Sequence, residues 1–362
     1  MNDKKTEDAL CALRNQVDAL DEKIVSLLNG RAQLALDIGQ VKHASGQKIY
    51  APQRERMVLQ RISDKNTGPL PDESITLIYK EIISASLALE QPLQVAFVGP
   101  EASFTHQATK RHFGLSAQSQ VSRTIEDVFD SVSRGRCAYG VVPVESSSVG
   151  AVAGTLDALV RYDLKICAEI LLEVSHHLLT RSGHLDGINK IYGEAENIGS
   201  CRVWLDENLP GIPLIDVSTM GRAAELAASD ASAAAIGTDL AGSIYGIRVA
   251  TPRLDNTAGD LARFFVIGSD AADPTGTDRT SIVFALPDDP GVLFKVLEPL
   301  AKEGINMSRI ESRPARGRAW DYMFFVDVEG HQRDPHIAAA LKEMQSISVF
   351  FRILGSYPRG EL

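Results

Sequence analysis

The sequence predicts a multidomain chain: an all-helical N-terminal domain, a central α/β domain and a C-terminal βαββαβ unit of the ferredoxin-like type. Three observations predict it. Residues 6–90 carry apolar side chains at helical spacing and no strand pattern. From residue 93, short apolar runs alternate with helical stretches, which argues for an α/β domain with a mostly parallel sheet. Past residue 278 the order becomes strand, helix, strand, strand, helix, strand. With 362 residues, 44% of them hydrophobic and 23% charged, the chain can bury the cores of two or three domains. The expected boundaries are 1–92, 93–270 and 278–362, with the polar stretch SDAADPTGTDR as the second linker.

In the first segment, Leu10, Leu13, Val17, Leu20, Ile24, Leu27, Leu34, Ile38 and Val41 recur at alternating steps of three and four. That rhythm predicts one long amphipathic helix to about His43, packed along a single seam. The seam position missing from the series is Arg31. A guanidinium facing a core costs several kcal/mol unless an anion meets it. Lys42 follows three turns on, on nearly the same face and roughly 16 Å up the axis. Two cationic arms so placed can converge on a small dicarboxylate. A turn containing Gly46 and Pro52 leads to a second helix from Gln53, which ends before Thr67-Gly68-Pro69. A third runs from Asp72 to Glu90 and sets Ser86 and Glu90 on one face. Arg54 and Glu55 open the second helix, and Arg14 neighbours the seam. Arg14 lies about 25 Å down the axis from Arg31 and reaches the same small ligand only from another chain. A stripe this long also needs a partner to cover it. Both arguments predict an interlocked homodimer.

In the central segment LQVAFVG and YGVVPVE read as strands, as do LKICAEILLEVSHHLLT and RFFVIG, with Ala-rich AAELAASDASAAAIG between them. In the last segment RTSIVFALP, INMSRIESRP, WDYMFFVDVEG and VFFRILGSY are the strands, and PGVLFKVLEPLAKEG and IAAALKEMQ the helices. A net charge of -10 without a basic block argues against nucleic acid. No stretch reaches membrane-spanning length and MNDKKTEDAL lacks an apolar signal region, so a cytoplasmic protein is expected. Cys11, Cys137, Cys167 and Cys201 lie far apart and read as free thiols. The eight histidines show no ligand spacing, and His176-His177 reads as strand packing. No metal and no organic cofactor are expected.

LRNQVDALDEKIVSLLNGRAQLALDIGQVK, YAPQRERMVLQRI and IYKEIISASLALEQP resemble the all-helical chorismate mutase family. The resemblance implies rearrangement of chorismate to prephenate, with no nucleophile. Carried over, Arg14 of the other subunit and Arg31 hold carboxylates, and Lys42 donates to the ether oxygen. Arg54 and Ser86 support binding, and Glu55 meets the substrate hydroxyl. Glu90 must be protonated to donate to the ether oxygen, which burial favours. Ala51 stands where family members often have Asp.

VAFVGPEASFTHQA, VVPVESSSVGAV and LARFFVIG resemble the motifs of the prephenate dehydratase domain, so the whole chain resembles the bifunctional chorismate mutase–prephenate dehydratases. The resemblance implies two α/β lobes of the periplasmic-binding-protein type with a cleft between them. There prephenate loses carbon dioxide and hydroxide to give phenylpyruvate. Ser103, Thr105 and Phe264 are then cleft residues, and Glu145, Ser146 and Arg263 catalytic ones, with Arg263 on a carboxylate. Several positions depart from the family. Ala262 replaces a Thr, Ser146 an Asn, Ala102 a Gly, and Gly193-Glu194-Ala195-Glu196 a Ser-His-Pro-Gln segment. Ala262 has no hydroxyl and is excluded as the acid. Three readings stay open: a dehydratase using Glu194, Glu196, Ser146 or Ser103 as acid; a non-aromatising decarboxylase; and a regulatory domain of weak activity.

Gly291-Val292-Leu293-Phe294 and Glu311-Ser312-Arg313-Pro314 resemble the two signature segments of the family's regulatory ACT domain. Glycine at a helix N-terminus frees backbone N–H groups for a carboxylate, and a nearby acid takes an ammonium. The resemblance implies L-phenylalanine as feedback effector, bound between paired domains.

Overall fold

The computed structural model describes residues 2–44, 52–90, 92–147, 150–256, 259–314 and 322–360. The chain forms two compact units, residues 1–93 with 113–118, and residues 94–112 with 119–362. The expected turn around Gly46, and Ala51, lie outside the described residues.

The first unit is built on three helices, α1 (Asn2–Ala44), α2 (Pro52–Lys65) and α3 (Asp72–Glu90). At 43 residues, α1 spans about 65 Å. Its seam is largely exposed among the described residues: Leu20 is 56% exposed, Leu27 73%, Leu34 64% and Val41 70%. Only its C-terminal part turns inward, where Gly39 is buried and Arg31 and Lys42 are half-buried.

The second unit opens with β1 (Gln94–Val98), α4 (Phe104–Phe113), β2 (Gln118–Ser122), α5 (Ile125–Ser133), β3 (Tyr139–Ser146), β4 (Gly150–Ala151), α6 (Ala153–Arg161) and β5 (Lys165–Glu173). A second lobe follows: β6 (His177–Thr180), β7 (Lys190–Gly193), α7 (Ala195–Ser200), α8 (Arg202–Asn208), β8 (Leu214–Asp216), α9 (Met220–Ser229), β9 (Ala233–Gly237), α10 (Asp239–Tyr245) and β10 (Arg248–Thr251). The chain then returns through β11 (Leu261–Gly268). Threonines fix where helices start. Thr124 and Asp127 form a capping box on α5, and Thr219 and Thr238 cap α9 and α10.

The sheets run β2-β1-β3-β11-β5, with β4 on β3, and β10-β6-β9-β7-β8. Both are mixed rather than mostly parallel. β11 runs antiparallel to β3 and β5, and β6 antiparallel to β9 and β10. The reason is connectivity. The chain passes from β5 to β6 and from β10 to β11 as it leaves one lobe and re-enters it, and neither passage contains the crossover helix that parallel neighbours need. The run LKICAEILLEVSHHLLT, read above as a single element, is therefore β5 and β6 in two different sheets.

The C-terminal domain is β12 (Asp278–Ala285), α11 (Val292–Lys302), β13 (Met307–Pro314), β14 (Tyr322–Glu329), α12 (Pro335–Ile347) and β15 (Phe350–Pro358), with strand order β13-β14-β12-β15. Strand alternation gives its sheet two apolar faces. Ile282, Phe284, Val326 and Val328 pack under α11 and α12. Val283, Phe325, Leu354 and Tyr357 join the core of the first lobe, with Phe129, Leu159 and Phe265. Gly355 permits this approach, since a Cβ there would come within 2.3 Å of the Ile166 carbonyl oxygen on β5.

Candidate active and effector sites

In the helical unit, Arg31 Nη1 donates to Ser86 Oγ at 2.9 Å, linking α1 to α3, and Ser86 in turn donates to the Ile82 carbonyl at 2.7 Å. One turn further along α3, the Glu90 carboxyl lies against Gly39. A Cβ at position 39 would stand 2.5 Å from Glu90 Oε2. Gly39 thus makes room for the carboxyl, a role not recognised from sequence although it shares the face of Arg31 and Lys42. Glu90 Oε2 is buried with no hydrogen-bond partner. Burial pushes the carboxyl above its usual range, against the lowering pull of Lys42. The fold thus gathers Arg31, Lys42, Ser86 and Glu90. Arg54 is exposed and Glu55 half-buried at the start of α2. Arg14 is exposed, 17 positions and about 25 Å down α1 from Arg31, so it does not join them within one chain.

In the α/β unit, the loop between β1 and α4 crosses to the second lobe. Ala102 is fully buried with φ +64°, the left-handed region that glycine adopts without penalty. Its methyl group packs with Leu179, Ala223 and Ala241 of the second lobe, and its carbonyl accepts from Thr238 Oγ1 at 2.9 Å. The Ala102 and His106 amides donate to His106 Nδ1 at 3.2 Å and Ser103 Oγ at 3.3 Å respectively. Burial holds His106 down at about 4, so it is neutral. Ser103 and Thr105 are buried beside this loop, and Phe264, expected at the cleft, is core at 2% exposure.

The two segments crossing between lobes meet at His176 and Asp255. His176 Nδ1 and Asp255 Oδ1 stand 2.5 Å apart, and the His176 amide donates to Asp255 Oδ2 at 2.7 Å. His176 Nε2 is buried without a partner, and its ring meets Phe104 edge-on at 5.1 Å. Cys201 completes a set whose ligand atoms lie within 4.8 Å of one another, the one such set among the described residues. Its two best ligands are already hydrogen-bonded to each other. Burial pushes the Cys201 thiol up to about 12, so losing its proton to become a metal-binding thiolate is costly.

Glu194 faces the same junction from the second lobe. It caps no amide of its own helix α7. Its Oε1 instead accepts from the Met220 amide at the start of α9, at 2.6 Å. Burial pushes its carboxyl up, with the Met220 hydrogen bond opposing and Glu196 adding to it. Glu196 itself is exposed, and Ser146 is half-buried, paired with Ala262 in the β3–β11 ladder.

Arg263 and Glu145 are not where the sequence reading put them. Successive strand residues point to opposite faces, so Arg263 points away from the side of Ala262 and Phe264. Its Nε donates to Glu169 Oε2 at 2.7 Å, its Nη1 to Asp327 Oδ2 at 2.6 Å and Glu145 Oε1 at 3.1 Å, and its Nη2 to Tyr357 Oη at 3.0 Å. Asp327 and Tyr357 belong to the C-terminal domain. The guanidinium expected on a substrate carboxylate is therefore taken up by three acids and a phenol, and Glu145 is turned the same way.

In the C-terminal domain, Gly291 adopts φ +76° at the N-cap of α11, with Val292 and Leu293 half-buried and Phe294 73% exposed. Along β13, Glu311 and Arg313 are half-buried and Ser312 and Pro314 exposed. Arg313 Nη2 stands 3.6 Å from Asp157 Oδ1 on α6, so this expected effector residue reaches toward the first lobe.

Three family models match the chain in succession: chorismate mutase type II over residues 13–91, prephenate dehydratase over 95–272, and the ACT domain over 280–344. A bifunctional chorismate mutase/prephenate dehydratase of Aquifex aeolicus is 41% identical over 98% of this chain and 99% of its own. One of Stutzerimonas stutzeri is 40% identical over the same shares. Among solved structures, a prephenate dehydratase of Arthrobacter aurescens in complex with L-Phe is 32% identical, with TM-score 0.65, covering 74% of this chain and 90% of that one.

Proposed function

The chain belongs to the bifunctional chorismate mutase/prephenate dehydratases, and from that premise we propose how its residues carry out the two reactions. Its helical unit rearranges chorismate to prephenate. Its α/β domain converts prephenate to phenylpyruvate with loss of carbon dioxide and water, and its C-terminal domain binds L-phenylalanine as feedback effector.

The observation that carries the mutase reading is the Arg31–Ser86 hydrogen bond beside the buried, unpartnered Oε2 of Glu90. Arg31 grips a carboxylate of chorismate, and Ser86 holds the guanidinium aimed. Lys42 and protonated Glu90 donate to the ether oxygen as negative charge builds there. Selecting the compact conformer and stabilising that charge supply the rate, because the rearrangement is internal to the substrate. Arg14 of a second copy takes the other carboxylate, with Arg54 and Glu55 at the rim. The exposed α1 seam supports this, because two antiparallel copies of the helix cover each other's stripe and bring Arg14 toward the partner's Arg31.

In the α/β domain, Glu194 is the proposed acid. It sits at the lobe junction and burial favours its protonated form, which suits proton donation to a departing hydroxyl. As carbon dioxide leaves, the ring takes up the bond electrons, the C–O bond breaks, and the hydroxide leaves as water with the proton of Glu194. Solvent then reprotonates the carboxylate. Ser103 and Thr105 line the same junction. Relatives matching over the full length are named as dehydratases, which favours this reading over a decarboxylase or a regulatory remnant. For the effector, the Gly291 turn offers backbone N–H groups to the carboxylate of phenylalanine and Glu311 takes its ammonium. No helix among the described residues is long and apolar enough to cross a membrane.

The test feeds chorismate and prephenate separately to the purified chain. Arg31→Ala and Glu194→Gln should each impair one reaction and spare the other. Loss of both together in a folded variant would contradict two separate sites.

A further inference from the structure

We propose that Arg263 is a positioning residue that couples the effector domain to the dehydratase strands. This inference rests on the dehydratase and effector readings above. Around it lie three cations, Arg263, Arg279 and Arg309, and three acids, Glu145, Glu169 and Asp327, drawn from both domains. The side chains of Arg263, Glu169 and Asp327 are 6%, 0% and 4% exposed. Buried charges of this kind hold only while every partner stays in place, so a small displacement of one domain is felt by the other.

The connections are continuous. β13, the strand of the expected effector segment, alternates its faces. Arg309 and Arg313 reach the first lobe, while Ser308, Ser312 and Pro314 stay exposed. Arg309 Nε contacts Glu145 Oε2 at 2.7 Å on β3, and Glu145 Oε1 contacts Arg263 Nη1 at 3.1 Å on β11. A second route runs from β14 and β15 through Asp327 and Tyr357, which Ser281 Oγ also joins, at 2.5 Å and 2.6 Å. Arg263 lies between Ala262 and Phe264, beside a bulge in the β3–β11 ladder, and the Ala262–Ser146 pair is the next rung. A shift of the effector domain thus pulls on the strand that ends at the lobe crossing.

The experiment uses the full chain with Tyr357→Phe and Asp327→Asn, which alter the network from the effector-domain side. Tyr357→Phe removes one hydroxyl and serves if Asp327→Asn does not fold. Without phenylalanine, prephenate turnover is expected within about threefold of the parent chain, because neither residue touches substrate. Phenylalanine should still raise the melting temperature, while its concentration for half-inhibition rises at least tenfold or inhibition becomes partial. Parent-like inhibition in a folded variant overturns the proposal and leaves the cluster purely structural. Amide hydrogen exchange over Leu261–Phe265 gives a readout independent of turnover. Phenylalanine should alter it in the parent and not in Tyr357→Phe, even if prephenate is not converted and the catalytic reading falls. No change in the parent overturns the coupling itself.

Discussion

Replacing Glu90 with Gln should separate the proton from the hydrogen bond at the mutase site. The Glu90 carboxyl is raised by burial, its Oε2 is buried and unpartnered, and Lys42 opposes the shift. To donate to an ether oxygen it must hold its proton. The mutase rate therefore falls as pH rises through the raised pKa, by up to about tenfold per pH unit, since a single proton is lost. The fall levels off where Lys42 and Arg31 alone sustain the reaction, roughly 10²–10³-fold lower, the usual worth of one donor aimed at developing charge. Gln donates at every pH, so the variant should show a flat profile within about threefold of the parent's low-pH rate. Stability follows the same sign. A pKa raised on folding gives stability that is present below the unfolded value and lost as pH rises through the folded one. Glu90→Gln should accordingly raise the melting temperature more at pH 8 than at pH 5. Chorismate loss followed by absorbance from pH 5 to 9 decides it. A flat parent profile, or a decline that persists in Glu90→Gln, refutes the reasoning.

If sites are shared between copies, inactive Arg14→Ala and Arg31→Ala chains mixed after unfolding and refolding should regain about a quarter of the mutase activity, because hybrid dimers carry one intact site. No recovery would place each site within a single chain. Glu194→Gln should lower prephenate conversion by about 10²–10⁴-fold, and the parent's dehydratase rate should fall as pH rises through the raised Glu194 pKa; a parent-like rate in the variant would send the search for the acid elsewhere. Ala102→Gly relieves about 1–2 kcal/mol of left-handed strain but loses a buried methyl worth about 1 kcal/mol and frees the unfolded chain, so denaturant unfolding should shift by less than about 1 kcal/mol.

The candidate mutase site was legible because it breaks a pattern. A helix seam shows its period over many residues, and Arg31 is the position where the period fails. The same seam carries the proposal of a second copy, since α1 leaves Leu27 and Val41 exposed in the single chain. Strands give no such information about facing. Arg263 stands one residue from Ala262 and from Phe264, and sequence alone does not say which face meets substrate. Its partners Asp327 and Tyr357 are 64 and 94 residues away, on another domain. The His176–Asp255 pair was likewise hidden, because its members are 79 residues apart and meet only where the two crossing segments run side by side. The same crossing turned one apolar run into two strands and made both sheets mixed. Periodicity reports burial within an element, whereas these contacts arise from connectivity between elements.

The most direct test of two chemistries on one chain is to supply prephenate to the purified protein at neutral pH and identify the products by absorbance and mass. Phenylpyruvate and carbon dioxide formed well above the spontaneous rate, and suppressed by phenylalanine, is the predicted result. Prephenate recovered unchanged by a preparation that converts chorismate briskly would contradict it.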